Sequence, residues 1–207
     1  AKCKSMKNFA YNGSTSVFIS SDVKCLANVK VVEQCMVLFG PFMNHKFSLL
    51  GAFPSDTLFS ISTLCPNIEM LHLDHGTECA QTTVNSFAQL ANLKSINLVD
   101  FTEHKFSYIF KNCTNLEHIR LAVSEPCVLR GITDSCFEAI ADHTTSLESL
   151  SVAVLSCNRV STQAIAKAIA THATSLENVI LYFDECHSIK SKKQGDKIIR
   201  PLIEADK

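Results

Sequence analysis

One frame of apolar positions recurs along the chain: an apolar residue is followed three and then five residues later by two more. Ile68, Leu71 and Leu73 form one copy, and the last two alternate with polar residues as on a half-buried strand. Full copies begin at residues 68, 93, 116, 147 and 176. The intervals of 25, 23, 31 and 29 residues are close to the period of about 20 to 29 that is typical of a solenoid with one short strand per coil.

A second pattern lies between the copies of this frame. There, apolar residues recur at spacings of three and four, as on one face of a helix. The pattern predicts helices over residues 135–143 and 161–172, with Thr133 or Asp134 at the N-terminal cap of the first. Each repeat is therefore expected to contain a strand, a loop and a helix.

The amino-terminal third carries weaker copies of the frame. One begins at Met6 and another at Val29. Val29 and Ile68 are 39 residues apart, which leaves room either for one extra strand that uses Phe47, Leu50 and Ala52 or for an insertion without a strand. Because the frame is already present at Met6, we expect the chain to be part of a longer solenoid.

Ten cysteines and two glycosylation sequons, at Asn12 and Asn112, leave two environments open. A secreted domain would pair the cysteines in disulfides. However, Cys113 stands three residues before the first apolar position of its copy, where a free cysteine serves as a small buried side chain with a weak donor. The pattern favours a reduced, intracellular protein, cytoplasmic with a nuclear location also open.

The copies that begin with cysteine resemble a known family. Cys65-Pro-Asn-Ile-Glu-Met-Leu-His-Leu and Cys113-Thr-Asn-Leu-Glu-His-Ile-Arg-Leu share the leading cysteine, and Gly131-Ile-Thr-Asp precedes a helix as it does in that family. These motifs resemble the cysteine-containing leucine-rich repeats of F-box/leucine-rich-repeat proteins. The resemblance implies an α/β fold, a ribonuclease-inhibitor-like leucine-rich-repeat solenoid (horseshoe) with a parallel sheet on the concave face and helices on the convex face.

The repeat frame and the resemblance together divide the chain into two parts. Residues 1–189 are predicted to form the leucine-rich-repeat domain, with about six to eight repeats. Residues 190–207 leave the frame, carry a run of basic residues and contain Pro201, so we expect a basic tail or a cap on the last coil.

The residues between the apolar strand positions are expected to line the concave face, the surface that a solenoid offers to partners. In three rows across the strands, they are Met70, Ser95, His118, Ser149 and Asn178; His72, Asn97, Arg120, Ser151 and Ile180; and Asp74, Val99, Ala122, Ala153 and Tyr182. This mixed, weakly charged face suits a protein partner. The candidate partner-binding residues are His72, Asp74, Asn97, His118, Arg120 and Tyr182.

No sequence pattern indicates a metal site or a cofactor. His72, Asp74, His75 and Cys79 are competent ligands, but His75 would point away from the first two on a strand, and no C-x-x-C pair supports zinc. The glycines are isolated, so no phosphate-binding loop is present.

Catalysis and two classes of partner are likewise not expected. Cys186 and His187 are adjacent on an extended segment and point apart, so neither they nor His172 form a nucleophile with its base. The formal net charge is -1, and no apolar run reaches the length of a membrane span. The sequence therefore indicates a protein that is not an enzyme and binds neither nucleic acid nor a membrane.

Three functions remain open. The resemblance implies a substrate-recognition or adaptor module like those of ubiquitin ligases, which would contact ligase subunits through a segment outside this sequence. The second is a structural subunit buried in a large assembly, which an exposed aromatic cluster at Phe101, Phe106, Tyr108 and Phe110 would favour. The third is a secreted or surface recognition domain.

Overall fold

The computed structural model describes residues 16–20, 46–50, 62–63, 67–73, 86–99, 103–123, 132–155 and 159–184. This part of the chain contains a seven-stranded sheet, a short 3₁₀ helix and three α-helices. In chain order, these are β1 (Ser16–Ser20), β2 (Lys46–Leu50), β3 (Met70–Leu73), the 3₁₀ helix (Ser86–Gln89), β4 (Ser95–Val99), α1 (Glu103–Asn112), β5 (His118–Val123), α2 (Asp134–His143), β6 (Ser149–Leu155), α3 (Thr162–Thr171) and β7 (Asn178–Asp184).

The sheet is parallel throughout, and its strand order is the order of the chain. Each strand pairs with the next, so that Leu71 lies beside Ile96 and Ile96 beside Ile119. Parallel neighbours need a crossover segment between them, and α1, α2 and α3 each lie in one such segment. The predicted α/β fold with a parallel sheet is confirmed.

The apolar positions of the repeat frame form the core. Leu71, Ile96 and Leu121 are at most 1 % exposed, and they belong to one hydrophobic cluster together with Phe137 and Ile165 of the helices. Burying such a side chain stabilises the fold by about 1.5 to 3 kcal/mol. The helices therefore cover one face of the sheet, which leaves the alternate strand residues on the other face.

Two helices lie where the sequence predicts them, but their ends differ from the prediction. Ser161 caps α3 by accepting a hydrogen bond from the backbone N–H of Ala164 at 3.2 Å. Thr133 occupies the cap position of α2 without a side-chain cap bond, because its hydroxyl pairs with Ser135 at 3.0 Å. Asp134 instead accepts from the backbone N–H of Ser161 at 2.6 Å and so links two consecutive repeats.

The first two strands complete the amino-terminal side of the sheet. Strand β2 lies in the region for which the sequence leaves an extra strand open, but its register differs from the predicted frame. Phe47 pairs with Leu71 and Leu49 with Leu73, whereas the frame aligns Leu50 with Leu71.

The neighbouring strand β1 was not predicted, because residue 14, three residues before Val17, is a serine and the frame is broken there. It pairs directly with β2, in the register Val17 to Phe47. The copies at Met6 and Val29 lie outside the described residues, as do Ala52 and the tail 190–207.

The side chain three residues before the first apolar residue of a copy is small, and at Cys113 it also makes a polar contact. Cys113 is buried, and its thiol lies 3.6 Å from the carbonyl oxygen of Phe87, one repeat earlier. Phe87 belongs to the 3₁₀ helix, and its carbonyl oxygen also accepts from the backbone N–H of Leu90 at 3.0 Å. The side chain at this position can therefore donate to a carbonyl of the preceding repeat.

The expected aromatic cluster is not a continuous exposed surface in the part of the chain that the structure describes. Phe110 is fully buried in the core, while Tyr108 is 43 % exposed. The spacing of two residues puts them on different sides of α1. Phe101 and the side chain of Phe106 lie outside the described residues.

Candidate functional site: the open face of the parallel sheet

The sheet face opposite the helices, here called the open face, presents rows of side chains. Two rows cross strands β3 to β7, a third crosses β4 to β7, and Leu155 and Asp184 form a short fourth row on β6 and β7. The register aligns the first three as Met70, Ser95, His118, Ser149 and Asn178; His72, Asn97, Arg120, Ser151 and Ile180, here called the middle row; and Val99, Ala122, Ala153 and Tyr182. Neighbours within a row lie on adjacent strands, about 4.8 Å apart. The alignment is the one that the repeat frame predicts.

Five of the six predicted site residues lie on the open face. His118 and Arg120 are exposed on β5, His72 and Asn97 are half-buried, and Tyr182 is 56 % exposed. The sixth, Asp74, lies outside the described residues. The open face also includes Ile180, which at 62 % exposure is the most exposed large apolar side chain of the described residues and was not among the predicted site residues.

The imidazole of His72 and the amide of Asn97, the first two side chains of the middle row, are in contact. The Nδ2 atom of Asn97 lies 3.5 Å from Nδ1 of His72. Because an amide nitrogen can only donate, Nδ1 of His72 is the acceptor in this contact. The Oδ1 atom of Asn97 is buried and has no hydrogen-bond partner within the described part of the chain.

The open face contains a depression of about 300 Å³. Its volume is at the lower end of the range for small-molecule pockets, and its lining mixes apolar side chains with hydroxyls, an amide and a guanidinium. The side chains of the first two rows line it: Met70, His72, Ser95, Asn97, His118, Arg120, Ser149, Ser151 and Ile180. Such a site suits a few side chains of a protein partner.

The described part of the open face carries two charged residues, Arg120 in the middle row and Asp184 at the end of β7, two residues beyond Tyr182. Arg120 carries the one permanent charge of the first three described rows, and none of their members is a carboxylate. Its neighbours in the middle row are Asn97 and Ser151, which are both neutral. Within the described residues, no carboxylate forms an ion pair with its guanidinium.

A row of mostly acidic residues lies directly before the strands and was missed by the sequence analysis. It consists of Glu69, Lys94, Glu117, Glu148 and Glu177, joined by backbone hydrogen bonds of 2.7 to 2.8 Å from each residue to the one before. Lys94 lies 3.7 Å from Glu117. The signal was present in the sequence, because four of the five residues that follow the first apolar position of the frame are glutamates.

Most of the candidate ligand groups of the sequence analysis lie outside the described residues. Of His72, Asp74, His75 and Cys79, the structure describes His72 alone, and Cys186 and His187 lie outside the described residues as well. A different group converges: Glu117, His118 and Glu148 each place one ligand atom within 4.8 Å of the others. Exposed acidic groups often lie this close without an ion.

His172, the third residue of the catalytic group that the sequence analysis considered, lies in the core. It is 3 % exposed, and its Nε2 atom contacts Oγ1 of Thr144 at 3.0 Å and the carbonyl oxygen of Ile140 at 3.3 Å. Burial lowers the pKa of His172, while the carbonyl of Ile140 acts in the opposite direction. The imidazole is a structural group in the core.

Comparison with known proteins gives little beyond this geometry. No protein-family profile and no curated protein matches the chain. Among solved structures, it is similar to a chain in the crystal structure of the Rad7 and Elc1 complex in yeast, with 14 % sequence identity and a TM-score of 0.38. The alignment covers 86 % of this chain and 57 % of that chain, so this chain spans little more than half of its length. No helix among the described residues is long and apolar enough to cross a membrane.

Proposed function

We propose that this chain is a non-enzymatic scaffold that binds another protein through the open face. The observation that carries the proposal is the presentation of three aligned rows of side chains on a parallel sheet, with Arg120, Ile180 and Tyr182 exposed. A sheet held by a continuous core presents these side chains at fixed spacing, which lowers the entropy cost of recognition. Arginine and tyrosine are enriched among the residues that contribute most to binding.

The finer form of the proposal concerns the family and the pathway. The repeat frame, the leading cysteines and the parallel order of the strands support a leucine-rich-repeat solenoid with the open face as its concave side. On the resemblance of its repeats, we propose a substrate-recognition or adaptor module of the ubiquitin-ligase type. Cys113 is a free, buried thiol, which suits a reducing, intracellular environment.

The experiment is a comparison of affinity purifications from cells that express the full chain. The test variant carries Arg120→Ala and Tyr182→Ala, and the matched control carries Glu138→Ala on the exposed side of α2. We expect a set of proteins that is recovered with the wild type and the control but reduced at least tenfold with the test variant. Recovery of ubiquitin-ligase subunits in any of the three would support the finer proposal.

Two outcomes would contradict the proposal. Equal recovery of every protein by the test variant and the control would show that the open face is not the binding surface. Loss with Glu138→Ala but not with the test variant would place the binding surface on the helices. Thermal unfolding of each purified variant separates loss of binding from loss of folding.

A further inference from the structure

We infer that the open face recognises a protein segment that carries one carboxylate side chain and, about three residues away, one apolar side chain. The inference rests on the proposed function and adds the chemistry of the partner. It follows from the charge and the shape of the depression, whose lining contains both Arg120 and Ile180.

The carboxylate is assigned from Arg120. This guanidinium is exposed, lies in the middle row and has no ion-pair partner among the described residues. The side chains beside it on β6 are Ser149 and Ser151, which are short and leave its donors accessible from the depression. A guanidinium binds a carboxylate through two parallel hydrogen bonds. This geometry sets the orientation of the carboxylate, and the opposite charges attract it.

The apolar group is assigned from the far end of the same row. Ile180 lies two strands from Arg120, about 10 Å away at the usual strand spacing. It is 62 % exposed, and Tyr182 on the same strand face is 56 % exposed. Ser151 lies between Arg120 and Ile180 and leaves the depression open from one to the other. About three residues of an extended peptide span this distance.

The acidic row limits the partner to a single carboxylate at this place. Glu117, Glu148 and Glu177 lie directly before β5, β6 and β7, about 10 Å along the strands from the middle row. They repel a partner with several adjacent negative charges, including a nucleic acid or a doubly charged phosphate. A single carboxylate beside an apolar residue meets the guanidinium without approaching the glutamates.

The test is a selection of random peptides displayed on phage against the immobilised full chain. Parallel selections use Arg120→Glu, which reverses the central charge, and Lys167→Glu, which reverses an exposed charge on α3 far from the open face. We expect the wild type and Lys167→Glu to select peptides with Asp or Glu about three residues from an apolar residue. Arg120→Glu should select Lys or Arg at the same position.

Fluorescence anisotropy titrations of the best peptide then measure the pair directly. Changing its Asp to Asn should weaken binding about tenfold to a hundredfold, the range for a hydrogen bond between charged groups. Arg120→Ala should weaken binding by the same factor, and the two changes together should weaken it no further. A peptide with phosphoserine in place of Asp should bind no better than the Asp peptide.

A blocking variant, Ser151→Trp, distinguishes failure of this inference from failure of the proposed function. If the selected peptides are lost with Ser151→Trp but bind Arg120→Glu as well as the wild type, the open face binds protein and the carboxylate assignment is wrong. Tenfold tighter binding of the phosphoserine peptide would also overturn it in favour of a phosphorylated partner. If no peptide prefers the wild type to Ser151→Trp, both proposals fail.

Discussion

The Nε2 atom of His172 lies 3.0 Å from Oγ1 of Thr144, and this contact joins two consecutive repeats inside the core. The Thr144 hydroxyl donates to the carbonyl oxygen of Ile140 at 2.7 Å, so its oxygen accepts from the imidazole. His172 therefore carries a proton on Nε2, and this N–H also lies 3.3 Å from the carbonyl of Ile140. The His172 imidazole, which follows α3 in the chain, therefore stabilises the C-terminal end of α2.

The buried imidazole predicts a dependence of stability on pH. Its pKa is lowered from the ordinary value of 6.5, chiefly by burial, so the unfolded state takes up a proton first as the pH falls. The stabilisation is fully present above pH 6.5 and is lost as the pH falls below this value towards the folded-state pKa. We expect the free energy of unfolding to fall by up to about 1.4 kcal/mol per pH unit in this range from this group.

Urea unfolding of His172→Gln between pH 5 and pH 8 checks this prediction. Glutamine keeps a donor near the position of Nε2 but does not titrate, so the variant should show a flatter dependence on pH than the wild type. Gln163→Ala, an exposed change on α3 that removes no titratable group, is the control and should leave the slope unchanged. Identical slopes for the wild type and His172→Gln would refute the prediction.

The link between Asp134 and Ser161 should contribute more to stability than an ion pair at the surface. Asp134 accepts from a backbone N–H at 2.6 Å, and Asp134→Ala removes this charged acceptor at a cost of about 1.5 to 3 kcal/mol. The control is Asp142→Ala, which breaks an exposed 3.0 Å pair with Lys167 at a cost of about 0 to 1 kcal/mol. Chemical denaturation measures both, and a larger effect of Asp142→Ala would contradict the assigned roles.

The two aromatic residues on opposite sides of α1 should respond very differently to truncation. Phe110 is fully buried, so Phe110→Ala removes core contacts and leaves a cavity, with an expected loss of about 3 to 5 kcal/mol. Tyr108 is 43 % exposed, so Tyr108→Ala should change stability by about 0.5 kcal/mol or less. Thermal unfolding distinguishes the two, and a comparable loss for both would mean that Tyr108 also has a buried contact surface.

Burial should make the Cys113 thiol almost inert in the folded protein. Its pKa is raised to about 12 by burial, which leaves only about one thiol in ten thousand ionised at pH 8. Iodoacetamide should therefore modify Cys113 only after unfolding, as followed by mass spectrometry of its peptide. Rapid modification in the absence of denaturant, with the far-UV circular dichroism unchanged, is the result that would rule out the buried position.

The repeat frame predicted most of the described fold, because the spacing of its apolar residues follows from the alternation of side chains along a strand. Leu71 and Leu73 alternate with outward residues, so the sequence identifies the strand, its buried face and its alignment with the next repeat. Strand β1 could not be found in this way, because Ser14 breaks the frame before Val17. Its place is decided by pairing with β2, a contact between residues that are 30 apart in the sequence.

The candidate site, too, was predicted by the sequence only in part. The sequence alone determined which residues share the open face, since side chains on a strand point alternately to its two sides. Only the tertiary structure decided that Arg120 lacks an ion-pair partner among the described residues, that Ile180 shares its depression and that His172 reaches Thr144 across 28 residues. Such relationships depend on which side chains of different repeats lie beside each other, and a periodic pattern within one repeat does not contain that information.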